Sequence, residues 1–195
     1  PYGIDKAGDK YPLSLKDLSL SENIEDILSL GVTSLKIEGR AKSAYYVTVV
    51  TNAYRMAVDE YMRDPYNFKL PDWIRDEVYK VSHRQYCNGF FFGTPEESQY
   101  YENSGYIRNY DIVAVVDRCE NGTVYCTQRN RFFAGDEVEL LSPSVKPVVM
   151  TLDTIFNEKS ESVEVANHAM MKFSFKCDTV FPAGTVIRKG SLETE

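Results

Sequence analysis

Ser34-Leu35-Lys36-Ile37-Glu38-Gly39-Arg40-Ala41-Lys42-Ser43 is the stretch on which the fold of this 195-residue chain turns. Apolar Leu35 and Ile37 alternate with charged Lys36 and Glu38, the period of a strand with one buried face. Gly39 breaks the run, and Ser43 stands where a helix N-cap belongs. The pattern predicts a strand over 33–38 that ends in charged side chains, then a long helix from 43 to about 63. In that helix Tyr46, Val47, Val50, Ala53, Tyr54, Ala57, Val58 and Tyr61 recur at three and four residues, so one side is buried. Asp64-Pro65 stops it.

Working outward, the first ten residues read as a loop rich in Gly, Asp and Lys, and the alternation in 11–20 suits a short strand followed by a turn. Ile24, Ile27, Leu28 and Leu30 form a helical stripe with Ser19 or Ser21 as its cap, and Gly31 closes it. The order strand, helix, strand, helix implies parallel βα units of the doubly wound or barrel kind. A further helix is predicted from 71 or 72 to 82, with Trp73, Ile74, Val78 and Val81 inward. A boundary falls at 96–103, which divides the chain into 1–98 and 99–195. Beyond it short alternating runs at 110–118, 123–128, 137–141, 148–154, 162–166, 172–177 and 185–188 are separated by Asn-Gly, Ala-Gly-Asp and Ser-Pro turns. They imply a small all-β barrel or sandwich, and the fold class is α+β.

The net charge is −7, with the acidity spread along the chain. That argues against a stand-alone nucleic-acid binder, although a local basic pocket would not show in the total. No apolar run is long enough to cross a membrane, and the chain reads as cytoplasmic. The 4 cysteines show no C-x-x-C spacing, so a zinc site is not predicted. Cys119 and Cys126 flank the Asn121-Gly122 turn on a hairpin diagonal, too far apart for an easy disulfide, and free thiols are expected.

A glutamate at the C-terminal end of a parallel strand sits where α/β folds assemble their sites. Glu38 is therefore the candidate general base or ligand, and Arg40 the candidate bidentate clamp for a carboxylate or phosphate. Lys42 would act there as a point charge. Lys36, together with Lys16 and Asp17 at the end of the earlier strand, faces the same predicted crevice. The same charged residues would equally serve as a solvated loop with surface ion pairs. His83 is either a substrate contact beside Arg84 or a cap at a helix C-terminus, favoured there by the dipole. No nucleophile elbow, H-E-x-x-H pair or Gly-rich phosphate loop occurs.

The run SLKIEGRAKSAYYV at 34–47 resembles the segment SLKIEGRMKSPYYV of peptidase family U32, the collagenase-like proteases. The resemblance continues in His83, Arg84, Tyr86, Gly89, Phe90 and Gly93, which fit a His-Arg-x-Tyr-x-x-Gly-Phe-x-x-Gly pattern. It implies that 1–98 are the last βα units of a TIM-like barrel with a helical extension, and that 99–195 are the family's C-terminal β domain. The turns at 133–136 and 181–185 also resemble those of small barrels such as domain 2 of translation elongation factors.

The resemblance further implies a C-terminal fragment of a longer enzyme. The expected partners are the missing N-terminal barrel segment or a second chain covering open strand edges, and a homo-oligomer is compatible with this. Relatives of this kind are implied to hold an iron–sulfur cluster through three upstream cysteines and one at the position of Ser19. A hydroxyl replaces a thiolate poorly, so no cofactor is expected in this chain, and any cluster belongs to the full-length parent. The family implies a peptidase, with the β domain gripping a protein or peptide substrate. Its alternative is oxygen-independent hydroxylation of RNA bases or a quinone precursor, and a third reading is a non-catalytic binding module. The fragment alone is expected to be inactive.

Overall fold

The computed structural model describes residues 15–94 and 105–191. The predicted boundary at 96–103 and most of the predicted 11–20 strand lie outside the described residues. Near the N-terminus β1 (Asp17–Leu18) pairs in parallel with β2 (Tyr86–Cys87), Asp17 opposite Tyr86 and Leu18 opposite Cys87. Between them run α1 (Ile24–Ser29), α2 (Ala44–Arg63) and α3 (Asp72–Glu77). Ser43 caps α2 as predicted, its Oγ accepting from the Tyr46 N–H at 3.1 Å. Gly31 closes the α1 segment at φ 75°, a conformation open to glycine.

Four expectations are corrected in this half. The run 33–38 is extended but belongs to no strand. A strand needs a hydrogen-bonded neighbour, and β1 takes its parallel partner from the His-Arg segment instead. No side chain caps α1: its N-cap is Asn23, because Ser21 to Asn23 form a 3₁₀ turn that leads into it and Ser21 bonds Ser19. The third helix ends at Glu77, and the chain turns through Val78 and Val81, which stay buried without helical structure. His83 therefore lies well past the helix end and caps nothing.

The second half follows the predicted alternation closely. It contains β3 (Tyr110–Glu120), β4 (Thr123–Gln128), β5 (Phe132–Phe133), β6 (Glu137–Leu141), β7 (Val148–Thr151), β8 (Ile155–Asn157), β9 (Ser162–Val163), β10 (Val165–Ala166), β11 (Lys172–Lys176) and β12 (Val186–Gly190). Eight of these form one sheet in the order β7-β6-β12-β3-β4-β11-β8-β9, curled into a half-barrel. All its pairings are antiparallel. The β5–β10 ribbon inserts Phe132 into the core alongside Val113, Val124, Leu140, Ile155, Phe173, Phe175 and Ile187. All four cysteines are free, as expected. Cys119 pairs across the hairpin with Val124, and Cys126 with Val116, which sets the two thiols on a diagonal.

The outer face of this sheet carries the joint to the helices. Val49 and Val50 of α2 pack with Val81 against Leu141 of β6 and Val186 of β12. Arg188, fully buried, binds Glu77 at 2.6 Å and Glu139 at 2.6 Å. Lys80 reaches the same Glu139 at 2.9 Å, and the Tyr45 hydroxyl donates to the Lys80 carbonyl at 2.7 Å. Burying those charges is costly, and mutual pairing is what makes it tolerable.

Candidate functional site

The predicted site residues separate into two groups. Glu38 and Arg40 lie exposed on the loop before α2, where the Glu38 Oε1 accepts from the Arg40 N–H at 2.9 Å. With the Lys42 N–H on the Gly39 carbonyl at 3.0 Å, that bond shapes the turn into the helix. Lys36 is exposed one pleat earlier. Neither Lys36 nor the Arg40 guanidinium makes an ion pair with the described residues. Gly39 is required by packing, since a Cβ there would stand 2.7 Å from Cγ2 of Val47.

Asp17, Lys42 and Arg84 do come together. The Asp17 Oδ2 accepts from the Arg84 N–H at 3.0 Å and lies 3.5 Å from the Lys42 Nζ. Lys42 sits 4.6 Å over the ring centre of Tyr106 and 5.1 Å over that of Tyr46. The Arg84 guanidinium lies 5.2 Å over Tyr106 from elsewhere and donates to the Leu15 carbonyl at 3.1 Å. Half-buried Lys16 immediately precedes Asp17. Two cations, one carboxylate and two tyrosine rings thus converge from β1, the start of α2, the His-Arg segment and the first residues of the β half.

A cavity of about 460 Å³ opens beside them, lined by Lys42, Ser43, Tyr46, Tyr106, Arg108 and Tyr110 among others. Burial, with Asp17 adding to it, pushes the Tyr46 hydroxyl above its ordinary value. The cleft suits an anionic group flanked by a planar one: ammonium and guanidinium supply charge, and the rings supply stacking surface. Sequence reasoning did not place Tyr46 and Tyr106 in the site, their one signal being the abundance of tyrosine, 14 in the chain, and it offered Arg108 only as one of the local basic residues Arg108, Arg118, Arg129 and Arg131 that keep RNA binding possible.

His83 is turned inward. It is 3% exposed, stacks on Tyr86 at 4.4 Å, and its Nδ1 donates to the Arg84 carbonyl at 2.5 Å. Its backbone bridges Ile107 in both directions, at 3.1 and 2.7 Å. Burial holds the Tyr86 hydroxyl far above its usual range, and that hydroxyl donates to the Val78 carbonyl at 2.8 Å. His83 and Tyr86 therefore form the floor that positions Arg84. Among the described residues no Ser, Thr or Cys side chain is bonded to a histidine, so no nucleophile–base pair is formed.

The residues do not fit an iron–sulfur cluster. Ser19 Oγ is engaged by Ser21 at 3.1 Å and lies 3.5 Å from the Tyr54 hydroxyl. No group of three His, Cys, Asp or Glu residues among those described could hold a metal. Cys87 neighbours Ser19, whose N–H reaches the Cys87 carbonyl at 3.0 Å, but Cys126 is buried in the half-barrel core and Cys119 and Cys177 pack against that core.

Two family models match the chain: peptidase family U32 over residues 3–100, and the peptidase family U32 C-terminal domain over residues 108–188. The chain belongs to peptidase family U32. Among curated relatives, the tRNA hydroxylation protein P1 of Bacillus subtilis is 36% identical over 193 residues, 97% of this chain and 45% of that protein. The tRNA hydroxylation protein P of Escherichia coli is 29% identical over 160 residues, 80% of this chain and 34% of that protein. A collagenase of Porphyromonas gingivalis is 30% identical over only 84 residues, 43% of this chain and 20% of that protein. The chain thus spans less than half the length of these curated relatives. A crystal structure of the C-terminal domain of a Geobacillus thermoleovorans protein assigned to U32 matches at TM-score 0.39 and 25% identity, covering 40% of this chain and 99% of that one.

Proposed function

We propose that this chain is the C-terminal part of a protein that hydroxylates tRNA, and that its cleft helps to hold the RNA. The carrying observation is the breadth of the likeness. The tRNA hydroxylation protein of Bacillus subtilis aligns through both halves, over 97% of the chain, whereas the collagenase aligns over 43%. The RNA-modification reading therefore replaces peptidase activity as the leading one.

The cleft chemistry agrees with that reading. Lys42 and Arg108 offer cations beside Tyr46, Tyr106 and Tyr110, a combination that takes a phosphate together with a base. Asp17 lies 3.5 Å from the Lys42 Nζ and accepts from the Arg84 N–H, which ties the two cation-bearing segments together. Glu38 and Arg40, projecting on the loop nearby, would complete the wall toward the rest of the parent. Leu15, Leu18, Phe90 and Phe92 are 55%, 65%, 79% and 69% exposed around the two-residue β1–β2 ladder. An apolar, open-edged face of that kind suits the preceding barrel segment of the parent as its cover. The oxidation chemistry itself would reside there, with any cluster.

The test is deletion of the gene encoding the parent, followed by mass spectrometry of bulk tRNA. A lost hydroxyl mark that returns with the wild-type gene is the expected result. An unchanged tRNA profile, with gelatin cleavage by the purified parent, would return the peptidase reading to first place.

A further inference from the structure

We propose that the uncovered part of the half-barrel's outer face, across β3, β4, β11 and β8, is a stacking platform for unpaired RNA bases. The same outer face is covered by α2 at β6 and β12, and from β4 onward Tyr125, Ser174 and Phe156 stand half-exposed on it. Strand alternation sends Val124, Cys126, Phe173, Phe175 and Ile155 into the core and leaves their neighbours outside. Residue pairing then lines up Arg118, Tyr125, Ser174 and Phe156 in one row across four adjacent strands.

A bulge in β3 creates the charged end of this row. The register shifts between Val116 and Arg118, so Asp117 and Arg118 both emerge on the outer face while Val116 stays in the core. The Arg118 guanidinium lies 3.8 Å from the ring centre of Tyr125. Lys172 and Lys176 stand one pleat to either side of Ser174, and the face holds a groove of about 710 Å³.

This assembly suits a single strand of RNA better than a peptide or a duplex. Tyr125 and Phe156 sit two strands apart, about 10 Å, with only the small Ser174 between them. Two rings at that spacing, with the Arg118 guanidinium stacked on Tyr125, can accept splayed bases, which a duplex keeps stacked inside. Arg118, Lys172 and Lys176 border the rings where a backbone would pass. Arg118 pairs with Glu120 at 3.1 Å, and Lys172 with Asp117 at 3.0 Å and with the Thr127 hydroxyl at 2.5 Å. Exposed pairs of this kind exchange readily for phosphate. Lys176 donates to the Thr123 hydroxyl at 2.7 Å.

The inference rests on the tRNA reading for its choice of nucleic acid and is tested apart from it. Fluorescence anisotropy of the chain with a labelled 12-nucleotide polyuridylate and with a labelled RNA duplex of equal length reads the face directly. The single strand should bind more tightly, with an affinity that falls as salt rises. Tyr125→Ala and Phe156→Ala should each weaken it about tenfold, whereas Tyr125→Phe should leave it unchanged. Ser174→Glu, which leaves both rings in place and adds a charge at the centre of the row, should abolish binding without lowering the melting temperature. Equal binding of strand and duplex, or full binding by the folded Ser174→Glu variant, overturns the proposal. Variants that lose the oligonucleotide while deletion of the parent gene removes no tRNA mark would leave the platform standing and remove the proposed function. The reverse pattern would do the opposite.

Discussion

Glu38 shows how a residue's surroundings alter the question asked of it. Its carboxylate accepts the Arg40 N–H, a task that a glutamine oxygen would do as well. Glu38→Gln should therefore keep the loop and the melting temperature. If the charge takes part in proton transfer in the parent, the proposed tRNA hydroxylation should fall in that variant on the order of a hundredfold or more. A variant with normal turnover would leave Glu38 as a turn-forming residue. Glu139 poses a question of pH. Burial pushes its carboxyl up, but Lys80 and Arg188 outweigh that and hold it below the ordinary carboxylate range. The unfolded chain takes up this proton near about pH 4.3 and the native state at a lower pH. The stability owed to Glu139 is thus complete above that ordinary value and is lost as pH falls through the native one. Urea unfolding from about pH 6 to 3 should show a shallower decline for Glu139→Gln than for the wild type, and parallel declines would contradict the assignment.

Among the elements, the turn into α2 is the most tightly constrained. A Cβ at position 39 would stand 2.7 Å from Cγ2 of Val47, a β-branched side chain on the first turns of the helix that cannot swing away freely. Gly39→Ala should cost about 1–3 kcal/mol by overpacking. Val47→Ala, at a position 40% exposed, should cost little alone and should restore most of the loss in the double variant. Additive losses in thermal melts would show that the glycine serves backbone conformation and not space. This turn also marks the limit of what the sequence disclosed. Ser43 and the stripe of α2 were legible because a cap and a helical period are local signals. So were the strands of the half-barrel, bounded by Gly turns. The run 33–38 has strand alternation, yet pattern cannot supply a neighbour, and β1 found its own partner in Tyr86–Cys87, far along the chain. Lys42, Asp17 and Arg84 could be named from sequence, but their meeting around Tyr106 depends on chain segments that only folding brings together.

For the whole molecule, the decisive bond joins residues 111 positions apart, Glu77 after the helices and Arg188 in the last strand. Nothing in a sequence marks Arg188 as buried, because arginine in an alternating strand ordinarily faces water. Here its strand position points at the helical half, and the fully buried guanidinium bridges Glu77 and Glu139. Arg188→Met should leave the Glu77 carboxylate, 2% exposed, with Lys80 at 3.4 Å as its remaining cation among the described residues, at a cost of about 3–5 kcal/mol. For a chain of this size that lowers the melting temperature by roughly 10 °C. The cost arises from the stranded charge more than from a lost attraction, so removing the charge as well should recover much of it. Glu77→Leu with Arg188→Met should melt well above Arg188→Met alone, although Lys80, 3.4 Å from Glu77, loses a partner. The joint is also what makes the halves unfold together: wild type should melt in one calorimetric transition, and Arg188→Met should broaden it or split it in two. A single sharp transition at the wild-type temperature in that variant would mean that the apolar contacts of Val49, Val50 and Val81 with Leu141 and Val186 hold the halves together unaided.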